Sequence, residues 1–171
     1  AYGEFKDKTP GIKHVILTEG DPGPGMLSYE NLVAAASPLD HSVREWNEDD
    51  MLDLCYTGGT TGLPKGVMLS QRNVVSNAQH AYQALSVNDS DVWLHVAPMF
   101  HLADAWACYT FTMAGGSHVF IPGFTPQGTL EAIQKYRVTK TILVPTMINF
   151  LLAFPDLGKY ETGSINRMLF G

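Results

Sequence analysis

Tyr56-Thr57-Gly58-Gly59-Thr60-Thr61-Gly62-Leu63-Pro64-Lys65-Gly66 places four glycines, three threonines and one lysine in eleven consecutive positions. Glycines let a backbone approach phosphate oxygens closely and leave its N–H groups free to converge on them. Threonine hydroxyls add donors that reach a phosphate oxygen or a bound cation. Lys65 contributes a mobile positive charge, and Pro64 stiffens its approach. The run has the equipment to hold a polyphosphate; the bland alternative is a surface loop, where Gly and Thr cluster for turn geometry alone. It is not a Walker A loop, which needs Gly-Lys-Ser/Thr after a four-residue gap with a helix opening at the lysine. Here Lys65 lies between Pro64 and Gly66.

Outward from the run, residues 51–56 form an apolar strand that delivers the loop, and Val67-Met68-Leu69 leaves it in extended form. Ser70 is a helix N-cap for a helix to residue 85. Beyond the turn at Asn88-Asp89-Ser90-Asp91, the pattern predicts strands at 92–96, 117–121, 141–144 and 168–170. Helices are predicted at 101–114, 126–136 and 145–154, the first closed by Gly115-Gly116 and the last opened by Pro145. Continuously apolar strands separated by helices predict α/β architecture: a mainly parallel sheet of βαβ units with helices on both faces. Upstream, residues 12–17 read as a short strand, Gly20–Gly25 as turns, and Ser28 as the cap of a helix to residue 36. Residues 37–50, ending in Glu48-Asp49-Asp50, read as a solvated linker. The division is therefore 1–50, peripheral strand, helix and acidic linker, and 51–171, a core βαβ region with the phosphate loop, in one incomplete domain.

At 171 residues and 45% hydrophobic, the chain can bury one substantial core. With 11 Lys+Arg against 17 Asp+Glu, it carries no basic footprint for nucleic acid. Cys55 and Cys108 are far apart, which argues against a metal or disulfide framework and fits a reducing, cytoplasmic setting. No stretch reaches the roughly 20 apolar residues that span a bilayer, so any membrane contact is expected to be peripheral. The chain opens at Ala1-Tyr2-Gly3-Glu4 and stops at Met168-Leu169-Phe170-Gly171, and it reads as a piece of a longer protein.

The loop resembles the signature Tyr/Thr-Ser-Gly-Thr-Thr-Gly-x-Pro-Lys-Gly of the acyl-adenylate-forming (AMP-binding) enzymes: acyl-CoA synthetases, luciferases and peptide-synthetase adenylation domains. It departs at Gly58, where serine is commoner; the change removes one hydroxyl and keeps the backbone donors. Pro98-Met99-Phe100-His101 is similar to the family's Pro-x-Phe-His, at the family's spacing. Gly66-Val67-Met68-Leu69-Ser70-Gln71-Arg72-Asn73, Lys135-Tyr136-Arg137-Val138-Thr139 and Val144-Pro145-Thr146 also look like the family. The resemblance covers residues 53–171, and residues 12–36 are compatible with it.

The resemblance implies part of the large N-terminal domain of an ATP-dependent carboxylate activator, most like a fatty-acid acyl-CoA synthetase. It implies that fatty acid, ATP and coenzyme A become acyl-CoA, AMP and pyrophosphate through an acyl-adenylate. Thr57, Gly58, Gly59, Thr60, Thr61, Gly62 and Lys65 are then the ATP-holding residues, Lys65 and Thr61 the catalytic ones, and Thr57 a contact for Mg²⁺. A lone histidine after a strand is ordinarily a structural hydrogen-bonder; against that, the motif implies that His101 borders the acyl and α-phosphate region as a substrate residue, not as an acid or base. Trp106, Tyr109 and Met113 recur at helical spacing, which ordinarily marks core; against that, Trp106 is the candidate wall of an acyl channel. Asp104 reads as a first-turn acid favoured by the helix dipole, in preference to a buried charge, and His14, His41, His80, His95 and His118 read as structural. The family's Tyr-Gly-x-Thr-Glu motif, ribose-binding aspartate, hinge and C-terminal lysine are expected beyond Gly171. The chain alone is accordingly expected to lack ligase activity and to dimerise through exposed strand edges. An amino-acid adenylation domain and a degenerate non-catalytic module are the alternatives.

Overall fold

Trp93 and Leu94 are neighbours in one strand, both wholly buried, yet they sit in two separate hydrophobic clusters. Adjacent strand residues point to opposite faces, so this sheet is covered on both sides. In the computed structural model, which describes residues 8–37, 46–58 and 62–171, the chain divides into two units, Ala1–Glu45 and Trp46–Gly171.

In the first unit, β1 (Ile16–Leu17) pairs in parallel with β2 (Leu27–Ser28). It is shorter than the strand expected over 12–17. Helix α1 (Tyr29–Ala35) follows, capped by the Ser28 hydroxyl, which accepts the Asn31 N–H at 3.3 Å.

In the second unit, β3 (Met51–Thr57) and β4 (Lys65–Ser70) form an antiparallel pair, a sheet of their own. The loop run therefore closes a hairpin, and this part of 51–171 departs from the expected βαβ order. Ser70 then caps α2 (Gln71–Leu85) in a capping box with Asn73. The acidic residues before β3 meet this helix: Arg72 pairs with Glu48 at 2.6 Å and Asp49 at 3.1 Å. Linker positions 38–45 lie outside the described residues.

The main sheet contains β5 (Val92–His95), β6 (Ser117–Phe120), β7 (Lys140–Ile142) and β8 (Arg167–Leu169), in the order β6-β5-β7-β8 and parallel throughout. Between them run α3 (Leu102–Ala114), α4 (Pro126–Tyr136) and α5 (Pro145–Leu152). The chain moves outward from β5 to β6, then back across β5 to β7. Right-handed crossovers in opposite directions must lie on opposite faces. Accordingly Phe111 and Ala107 of α3 pack with Trp93, whereas Leu130 and Ile133 of α4 pack with Leu94, Val96 and Leu143.

The amino-terminal edge of this sheet is held by Asp91. One carboxylate oxygen receives the buried Lys140 ammonium and the Thr139 hydroxyl (2.7 Å), and the other receives the Asn88 N–H at 2.9 Å. Burial pushes the Asp91 carboxyl up, but these donors outweigh it and hold the group below its ordinary value. Gly115 ends α3 with φ +74°, and Gly116 lies where a Cβ would come within 3.0 Å of the Asp91 carbonyl oxygen.

Breaking a buried pair leaves an uncompensated charge. Lys140→Met is expected to cost about 3 kcal/mol, and Arg72→Ala, in an exposed pair, under about 1 kcal/mol. Urea unfolding of both variants checks the contrast; equal losses would refute it.

Candidate functional site

The hairpin register runs from Met51↔Ser70 to Thr57↔Lys65, so Thr57 and Lys65 are the last paired residues before the loop. Gly66 faces Tyr56, and a Cβ there would lie 3.0 Å from Leu54 Cδ1, so a side chain at this position would have to displace the tip of Leu54 across the hairpin. At Gly58 and Gly62 a Cβ would meet nothing within 4 Å, so the loop shoulders stand open. Lys65 is exposed, and the Thr57 hydroxyl donates to the Lys65 carbonyl at a long 3.4 Å. Gly59, Thr60 and Thr61 lie outside the described residues. An open pair of shoulders, a weakly engaged hydroxyl and an exposed ammonium fit a triphosphate with its cation in donor chemistry.

The second motif occupies a different place. β5 connects outward to β6, and β7 outward the other way to β8, so the direction of winding reverses between β5 and β7. Open α/β sheets hold ligands at that crevice, at the carboxyl ends of the strands. Pro98–His101 leaves β5 at this rim, and Val144-Pro145 leaves β7 beside it. Three of the four strands end in this way, at Ala97-Pro98, Ile121-Pro122 and Val144-Pro145. His101 is the N-cap of α3, its Nδ1 accepting the Ala103 N–H at 3.0 Å, and Phe100 next to it is 95% exposed. The imidazole thus has a structural task; its substrate role is taken up below.

A groove of about 810 Å³ runs between the hairpin, α2 and α3. Trp106 and Tyr109 of α3, Met99 of the motif and Met68 of β4 give it an apolar wall, while Asp53, Asn73 and Asn77 add polar groups. Tyr109 and Met113 of the stripe are exposed and not core, whereas half-buried Trp106 packs against the cluster of Trp93, Ala107 and Phe111 while lining the groove; the core face of α3 is formed by Asp104, Ala107, Thr110 and Phe111. Partial burial and the Asp53 charge raise the Tyr109 phenol above its ordinary value. A hydrogen bond to Asp53 raises the Cys55 thiol, and burial raises Cys108, so neither is a poised nucleophile. Among the described residues, Trp106 is the one expected site residue that lines this groove; Thr57, Gly58, Gly62, Lys65 and His101 do not.

Asp104 stands in the first turn of α3, as expected, but it is the buried charge over which the sequence favours the dipole reading. It is wholly buried and accepts the Trp93 indole N–H at 2.9 Å, with His95 Nδ1 at 2.8 Å. His95 and His118, read separately as structural, join in one chain, Nε2 to Nδ1 at 2.9 Å. Burial and the neighbouring His95 push the His118 imidazole below its ordinary value, against a smaller opposing pull from Asp104. Asn73 and Asn77 were also missed, although their i, i+4 spacing placed two amides on one helix face. No group of three or more metal-ligating side chains exists among the described residues, and no helix there is long and apolar enough to cross a membrane.

A two-way-wound parallel sheet with a glycine-threonine hairpin beside it defines a mixed α/β domain that offers its loops at one rim, the fold of the N-terminal domains of adenylate-forming enzymes. The chain belongs to the AMP-binding enzyme family, whose model matches residues 4–171. It is 32% identical to an indoleacetate–CoA ligase of Aromatoleum aromaticum, over 98% of this chain and 32% of that protein. It is 35% identical to a long-chain-fatty-acid–CoA ligase of Bacillus subtilis, over 72% of this chain and 23% of that protein. Among solved structures, ATP-bound MatB from Rhodopseudomonas palustris superposes with a TM-score of 0.74 at 32% identity, covering 86% of this chain and 29% of that one. The chain spans about a third or less of the length of these relatives.

Because His118 is depressed in the fold, the unfolded chain takes up its proton first as pH falls. Its stabilising contribution is full above the unfolded histidine value of about 6.5 and declines below it. Asp91, also depressed, loses its contribution only in the acid range, below about 3.9. The thermal midpoint is expected to fall between pH 7.5 and 5.5, and His118→Asn, which keeps a donor toward His95, is expected to flatten that decline. An unchanged slope in the variant would assign the pH dependence elsewhere.

Proposed function

We propose that this chain is the phosphate-loop portion of an ATP-dependent acid–thiol ligase that activates a carboxylate as its acyl-adenylate and passes it to coenzyme A. The observation that carries this reading is the loop itself, closed by the Thr57↔Lys65 pair with the Lys65 ammonium exposed at its end. Thr57, Gly58, Gly59, Thr60, Thr61 and Gly62 would hold the triphosphate through backbone N–H and hydroxyl donors. Lys65, with Thr61, would neutralise charge that develops as pyrophosphate separates from the α-phosphate. Thr57 would be a ligand, direct or through water, for Mg²⁺, which would help neutralise the phosphate charge. His101, fixed as the cap of α3 at the rim of the sheet, would border the carboxylate as it meets the α-phosphate.

The groove supports a fatty-acyl or aryl substrate over an amino acid, because Trp106, Tyr109, Met99 and Met68 offer apolar and aromatic surface. Long- or medium-chain fatty acid is the first choice, and the relatives that act on indoleacetate and on long-chain fatty acid bracket it. We place the enzyme in the cytoplasm, with both cysteines free. Self-association is part of the proposal: Met51, Tyr56 and Met68 leave the hairpin with large exposed apolar side chains.

In the complete enzyme, Lys65→Ala is expected to lower pyrophosphate exchange about 100-fold. Unchanged turnover would remove the lysine from the reaction. This chain alone is expected to give exchange at background with dodecanoate, and measurable exchange would show that it holds a whole active site.

A further inference from the structure

Both oxygens of the buried Asp104 are taken, one by the Trp93 indole and one by His95 Nδ1. Beyond His95 the chain continues to His118, whose Nε2 lies 3.1 Å from the Thr112 hydroxyl. With Asp104 ionised and both imidazoles neutral, the partners allow one arrangement of protons. His95 carries Nδ1–H toward Asp104 and accepts at Nε2; His118 carries Nδ1–H toward His95 and accepts at Nε2 from Thr112. Every bond points toward the carboxylate.

Asp104 and Thr112 stand on the same helix, about two turns apart. The chain leaves α3 at one point, passes through β5 and β6, and returns to it at another. Trp93 also meets Trp106 edge to face at 5.2 Å, and the Trp106 indole N–H is held by the Ala103 carbonyl at 2.8 Å. The Asp104 and Ala105 N–H groups reach the His101 carbonyl at 3.1 and 3.2 Å.

We propose that Asp104 is a positioning residue: through Trp93, His95 and His118 it clamps the first turn of α3 to the sheet, and so sets the groove wall at Trp106 and the cap at His101. The groove's task rests on the acyl reading given above; the clamp does not. The ionisable groups acting on the chain are its own members, with Cys108 the further one that feels Asp104. Phe111 and Phe120 cover the imidazoles with rings, Phe120 stacked 4.5 Å over His95.

Asp104→Asn tests the clamp with little change in size. The indole N–H can only donate, so the amide oxygen must face Trp93 and the NH₂ must face His95. His95 and His118 must then both switch to their Nε2–H forms. Nitrogen-15 NMR of the histidines is expected to show Nδ1–H at both rings in the unaltered chain and Nε2–H at both in the variant, with the Trp106 indole resonance displaced. Dodecanoate, as probe, is expected to bind the variant roughly tenfold more weakly, as for other residues that orient a binding group. Nε2–H at His95 in the unaltered chain, which needs no variant to fold, would overturn the clamp. Equal dodecanoate affinity in both would overturn the positioning role. If dodecanoate binds neither, the acyl reading fails, and the tautomer switch and Trp106 shift decide the clamp alone.

Discussion

The carboxylate of Asp91 is the constraint on which the rest of the second unit depends. Its two oxygens join Lys140 and Thr139 to the turn at Asn88, and its backbone carbonyl receives the Ser117 N–H at 2.9 Å. One residue thereby fixes the starts of β5, β6 and β7. A strand shifted by one position would turn Trp93 and Leu94 into each other's clusters. Asp91 makes that shift costly, since a slipped Lys140 would be a buried ammonium without its counter-ion.

With the amino-terminal edge fixed, the carboxyl edge is free to present loops. Asp104 does there for a helix what Asp91 does for strands, ordering α3 through groups that belong to the sheet. The glycine-threonine loop stands apart from this arrangement. It is carried on a two-stranded hairpin, an element of marginal stability by itself, whose residues 52–53 and 67–69 share the groove with α2 and α3.

What the sequence made legible follows from the range of the interactions involved. Ser28, Ser70, Pro126, Pro145 and Gly115 mark helix ends because a cap is made within a few residues of itself, and each of these elements begins or ends where its cap falls. The antiparallel pairing of β3 with β4 was not legible: a run read for its phosphate chemistry gave no register, and only the Thr57↔Lys65 pairing turns it into a hairpin tip. Asp104 was misread for the same reason, since Trp93 and His95 lie 11 and 9 residues away and on another element. A tryptophan and a histidine two apart in a strand, followed by an acid in an apolar helix, was the available signal. Of the site residues, Trp106 falls on the groove, His101 at the rim and Thr57 with Lys65 at the loop; Gly59, Thr60 and Thr61 are outside the described residues.

The prolines at 98, 122 and 145 bear on how the rim keeps its shape. β5, β6 and β7 end their ladders within three residues of a group that has no N–H to give. Backbone pairing, which would otherwise tend to zip neighbouring strands onward, lacks a donor at nearly the same height in all three. The β5–β7 ladder itself ends at Leu94↔Thr141, and Pro98 and Pro145 then leave the two parting chains without a donor at those positions with which to resume it.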